Sequence, residues 1–127
     1  MRYLCLIRID PREFEKLPAA TINQLNADHL DYNDELRQRG HFLIAEALDP
    51  PETATVVRVN NGKTAIIDGP FAETKEAIAG FYVIEAQNMR EAQAIAARLP
   101  AVEAGVGTVE VRPACQLQVE GRQPRWG

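Results

Sequence analysis

His29 is one of two histidines in the chain, and it lies among Ile22, Leu25, Tyr32 and Leu36 at spacings of three and four. In a helix those positions share one face. An imidazole on an inward face must hydrogen-bond, either within the core or to something bound beside it. With an ordinary pKa near neutrality it is the candidate general acid or base, the alternative being a satisfied core histidine. Tyr32, three residues on, reaches the same side and could line an apolar pocket with a polar tip.

The second group is Asp68-Gly69-Pro70-Phe71-Ala72-Glu73-Thr74-Lys75-Glu76. Pro70 has no N–H and biases Gly69 away from helix, so the segment is a stiff loop between strands. It carries one aromatic, Phe71, a candidate ligand contact expected to be at least partly buried. It also carries ionisable groups, of which Asp68 and Glu73 are candidate ligand contacts. Asp68 either accepts backbone N–H bonds that shape the turn or joins a pocket of carboxylates. Glu46, inside a short strand, is the third carboxylate candidate. Arg58 interrupts the apolar run Val56 to Val59; inward it would pair with a carboxylate or an anionic ligand, outward it is an edge charge.

Other chemistries lack their residues. The chain has no serine, which excludes a serine nucleophile. His29 and His41 are twelve residues apart on different elements, and Cys5 and Cys115 have no metal or redox spacing. No metal or cofactor is expected. Net charge is −4 with scattered Lys and Arg, so nucleic acid is not an expected partner. The apolar run Tyr3 to Ile7 is too short for a signal-peptide core or a membrane span, giving the expectation of a cytoplasmic protein.

The elements that position these groups follow from periodicity. Arg2 to Ile9 reads as a strand apolar on both faces, and Ala79 to Ala86 as another. Residues 18–39 read as a helix stopped by Gly40. His41 to Leu48 reads as a short strand. Thr53 to Val59 and Lys63 to Asp68 are joined by Asn60-Asn61-Gly62, a hairpin signal. A second helix starts at the Asn88 cap and ends at Pro100, and Thr108 to Pro113 is the last strand. The predicted fold class is α+β, a ferredoxin-like βαββαβ with an inserted hairpin. Two helices cover only one sheet face, yet two strands are apolar on both. A homodimer that buries the second face is therefore expected.

Asp68-Gly69-Pro70-Phe71 with Ala72 to Glu76 resembles the signature of the DGPF branch of the YCII-related family. Tyr32-Asn33-Asp34-Glu35-Leu36, Ala45-Glu46-Ala47-Leu48-Asp49-Pro50 and Val109-Glu110-Val111-Arg112-Pro113 are similar to further stretches of it. The resemblance covers residues 1–115, with 116–127 as a C-terminal tail, and implies a dimeric α+β barrel. It places His29 on the histidine to which catalysis is ascribed in the YciI-type branch, where an aspartate in an Asp-Pro step is its partner. Here that step is Leu99-Pro100, so the dyad is not preserved. Two readings stand. One is a module that binds an unknown small molecule, a ligand sensor or stress protein linked to an extracytoplasmic-function sigma factor, as DGPF proteins often are. The other is a cofactor-free lyase or isomerase using His29. The site expected is one pocket per subunit between the first helix and the sheet, lined by His29 and Tyr32, with Glu46 and Arg58 nearby and the 68–74 loop at its mouth.

Overall fold

Two strands apolar on both faces belong at the centre of a sheet, and that is where they lie. The computed structural model describes residues 1–126. Strand β1 (Arg2–Ile9) pairs antiparallel with β5 (Ala77–Glu85) on one side and β6 (Gly107–Pro113) on the other, and β5 pairs with β2 (Phe42–Ala47). The sheet order is β2-β5-β1-β6. This is the mixed α+β, ferredoxin-like arrangement expected from the sequence.

Two long helices lie on one face. Helix α2 spans Ala19–Gln38 and α3 spans Met89–Ala97. The start of α3 is capped as expected, Asn88 Oδ1 accepting from Glu91 N at 2.9 Å. Tyr3, Cys5 and Ile7 of β1 and Tyr82 and Ile84 of β5 are buried beneath the helices, with Leu36, Ile95 and Leu99 closing over them. Each large apolar side chain fully buried here contributes about 1.5–3 kcal/mol. Burial also pushes the Cys5 thiol up to about 11, so it stays a reduced, unreactive core residue.

Two short helices depart from the sequence expectation. Helix α1 is Pro11–Glu15 and α4 is Pro100–Glu103. Both begin with proline at the first helical position, where its missing N–H costs nothing. Asp10 caps α1 by accepting from Arg12 N at 3.0 Å. Reading Pro11 and Pro100 only as terminators hides both helices.

The open face of the sheet is set by register. Leu4 opposes Val83, Leu6 opposes Phe81, Ile44 opposes Val83 and Glu46 opposes Phe81. Residues directly opposite share a face, so these six side chains lie away from the helices. Arg8 and Glu110 form a 3.5 Å ion pair on the same face.

The hairpin forms a sheet of its own. Strands β3 (Thr55–Asn60) and β4 (Lys63–Asp68) pair only with each other, around a turn whose Asn61 and Gly62 have φ of 50° and 75°. Gly69, with φ of 101°, turns the chain out of the ribbon, and its N–H donates to Ala54 O at 2.7 Å.

The tail folds back on its own chain. Leu117 and Arg125 form an antiparallel bridge, and the Arg2 guanidinium lies 5.1 Å from the centroid of the Trp126 ring. Gly127 lies outside the described residues. Deleting 117–127 removes that cation–π contact and the partial burial of Trp126, residues 117–125 being exposed. We expect a cooperatively unfolding core that loses about 0.5–1 kcal/mol in a urea titration. A molten or aggregated product would show that the tail completes the core.

Candidate functional site

Helix α2 crosses the sheet over the edge where β2, β5 and β1 end, and a cavity of about 630 Å³ opens between them. Ile7, Ile9, Leu25, Leu30, Ala45 and Ala79 supply apolar wall, and α1 contributes Phe14. The polar groups in the wall include His29, Asn33 and Tyr82. His29 and Asn33 are four residues apart and project together from the same side of α2.

These three side chains form one chain of hydrogen bonds. Ala101 N lies 3.2 Å from His29 Nε2 and donates to it. Nε2 is therefore the acceptor, and the neutral ring carries its proton on Nδ1. Nδ1–H donates to Tyr82 Oη at 2.9 Å, and Tyr82 O–H in turn donates to Asn33 Oδ1. The Asn33 NH₂ group remains a donor at the cavity wall.

The partner of Nε2 explains what Leu99 does. Ala101 is the second residue of α4, whose N-cap is Leu99 with no side-chain cap bond. Leu99 is 1% exposed and fills the core instead. His29 supplies from another helix the acceptor that an N-cap side chain would normally provide. With both nitrogens engaged, His29 is held neutral. Burial lowers its pKa below the ordinary 6.5, while the Asp28 carboxylate pulls weakly the other way. Protonating Nε2 would also set two N–H donors against each other.

A pH dependence follows. The unfolded chain takes up a proton near the ordinary histidine pKa of 6.5, whereas folded His29 resists it to lower pH. Folding stability from this group is complete above 6.5 and falls as the pH drops below it, levelling off once the folded pKa is passed. His29→Gln keeps an acceptor but cannot titrate. The melting-temperature difference between wild type and His29→Gln should shift against wild type on acidification through that window. A difference independent of pH would contradict a neutral, buried imidazole.

Other sequence candidates fall elsewhere. Tyr32 turns toward α3, its O–H donating to Ile95 O at 2.7 Å. It is buried between helices, which pushes its hydroxyl up to about 12, and it does not line the cavity with His29. Glu46 contributes to the cavity edge, yet its register opposite Phe81 sends its side chain to the open face. Arg58 and Asp68 lie on the separate ribbon, opposite Ala65 and Thr55. Phe71 is 82% exposed, contrary to the expected burial, and Glu73 is exposed as well. The 68–74 loop does not border this cavity. The groups that sequence reasoning passed over are Asn33 and the Ala101 N–H. The position of Asn33 four residues after His29 was the available signal; nothing local marks Ala101. Among the described residues no cluster of His, Cys, Asp or Glu could hold a metal ion, and no helix is long and apolar enough to cross a membrane.

Comparison with known proteins agrees with this architecture. An uncharacterized protein of Rhizobium meliloti (strain 1021) is 42% identical over 66 residues. Those residues are 52% of this chain and 53% of that protein, so the likeness spans about half the length of the curated relative. Among solved structures, 5-chloro-2-hydroxyhydroquinone dehydrochlorinase (TftG) from Burkholderia phenoliruptrix AC1100, in complex with 2,5-dihydroxybenzoquinone, is similar in fold. It superposes with a TM-score of 0.55 at 15% identity, covering 91% of this chain and 95% of that one. The model of the YCII-related domain matches residues 1–116, and the chain belongs to the YCII-related family.

Proposed function

We propose that the protein is a small-molecule-binding homodimer of the DGPF branch, which takes a compact cyclic organic compound into the cavity beneath α2 and does not transform it. The observation that carries this reading is the engagement of both nitrogens of His29. A general base needs a free lone pair, and here Nε2 is occupied by the Ala101 N–H. The cavity wall is mostly apolar with a few convergent polar groups and carboxylates at its rim, the pattern of a binding site. The Asn33 NH₂ suits a carbonyl or hydroxyl oxygen on such a ligand.

The dimer rests on the open sheet face. Leu4, Leu6, Phe81 and Val83 make an apolar patch that helices of the same chain leave uncovered. A second copy presenting the same patch buries both. The resemblance of residues 68–76 to the DGPF signature supports a cytoplasmic ligand-sensing or stress role linked to a sigma factor.

The second reading, a cofactor-free lyase or isomerase with His29 as acid or base, is favoured by the fold of the dehydrochlorinase and its bound quinone. A ligand that displaced the Ala101 N–H from Nε2 would expose the base. The two readings separate in one experiment. 2,5-Dihydroxybenzoquinone and substituted hydroquinones are screened by thermal shift, and each stabilising compound is followed by chromatography for conversion. Saturation at about 100 times Kd adds roughly 2.7 kcal/mol, a rise of several degrees. Stabilisation without conversion supports binding. Conversion that disappears in folded His29→Ala supports the enzyme.

A further inference from the structure

The β3–β4 ribbon is out of place on a single chain. It packs on no other element as a sheet, yet both of its faces are apolar. Val57, Val59 and Ile66 lie on one face, with Val57 63% and Ile66 68% exposed. Val56, Ala65 and Ile67 lie on the other, together with the cations Arg58 and Lys63. A free two-stranded ribbon is marginal in water and needs a surface to lie on.

The cavity mouth has the complementary character. Its rim carries the carboxylates of Glu15, Asp49 and Glu52, all exposed, beside the exposed apolar side chains of Leu30 and Leu48. The ribbon is rooted close to that rim, between Ala54 and Gly69, but none of its own residues lines the cavity. Arg58 forms no ion pair with the rim of its own chain among the described residues. Six residue pairs at about 3.3 Å per residue give a reach of about 20 Å, twice the ~10 Å that separates two sheets stacked face to face.

We propose that the ribbon is an arm exchanged between subunits: the face bearing Val56, Arg58 and Ile67 lies over the cavity mouth of a second copy, with Arg58 and Lys63 set against Glu15, Asp49 and Glu52. This rests on the homodimer of the preceding section and completes its site, because each cavity is then closed by a residue of the other chain. Charge complementarity fixes which face lies down. Glu46 and Ile78, which register places on the open sheet face, also border the cavity, so the two surfaces meet at that edge and a second copy docked on the open face can reach both.

Chains with one accessible cysteine each test the arm. Both carry Cys115→Ser to remove the exposed thiol, while Cys5 is buried. One chain carries Arg58→Cys and a purification tag, the other Glu15→Cys. The chains are mixed, allowed to exchange subunits and treated with a short bis-maleimide. The expected product is a mixed cross-link with twice the mass of one chain, lost when Arg58→Cys is replaced by a cysteine at exposed Arg122. Sedimentation of the same sample separates the two claims. A dimer without the mixed product, or a link formed only inside a chain carrying both cysteines, overturns the exchanged arm and leaves the dimer standing. A monomer overturns both.

Discussion

Phe81→Asp is expected to yield a folded monomer. Phe81 lies on the open face, opposite Leu6 on one neighbour strand and Glu46 on the other. In one chain the new carboxylate on the open face still reaches water, so the core beneath the helices is untouched. In the proposed dimer it is buried, the Arg8 guanidinium on that face being already paired with Glu110, and Glu46 beside it adds repulsion. An uncompensated buried charge costs about 3 kcal/mol, and a two-fold interface contains two of them. Their sum, roughly 6 kcal/mol, weakens association by about 10⁴-fold. Sedimentation velocity at micromolar concentration should therefore read one chain mass for the variant and two for wild type, with matching far-UV circular dichroism. A variant that still sediments as a dimer would place the interface elsewhere.

His29→Ala should destabilise the protein by about 2–4 kcal/mol. The substitution leaves the Ala101 N–H at the start of α4 without an acceptor, which costs about 1 kcal/mol as any lost N-cap does. It also leaves Tyr82 Oη without its donor inside a largely apolar wall, a further 1–3 kcal/mol. For a domain of this length the melting temperature falls by roughly 10 °C. His29→Gln should recover part of the loss by restoring an acceptor. Combined with Tyr82→Phe, His29→Ala should show a coupling energy of about 1 kcal/mol, because the two residues share a bond. A His29→Ala variant as stable as wild type would show that the imidazole holds neither α4 nor Tyr82.

The fold was legible because its signals are strong and local. β1 and β5 are apolar on both faces, which is why they take the two central places in the sheet. The turn at Asn61-Gly62 needs positive φ twice and has the residues for it. The site was legible only in part. His29 could be placed on an inward face from spacing alone. Spacing also places Tyr32 beside it, because three residues on a helix look adjacent, but that step rotates the side chain toward α3, whereas the four-residue step to Asn33 keeps the cavity side. Glu46 depended on the parity of β2, and an irregularity between Phe42 and Ile44 resets that parity where no sequence pattern announces it. Proline stiffens the charged loop at 68–76, which gives it the sequence character of a binding loop. Its distance from the cavity is a matter of long-range topology, which spacing does not encode.

The most direct measurement is a ¹⁵N spectrum of the histidine side chains, recorded from neutral to acidic pH and then with 2,5-dihydroxybenzoquinone added. Cavity binding with a neutral, positioned His29 predicts one imidazole with a protonated Nδ1 and a bare Nε2 that stays neutral below pH 6.5, and whose resonances move on adding the quinone. A His29 that gains its proton at or above the ordinary pKa, or whose resonances ignore the quinone while other residues respond to it, would contradict that assignment.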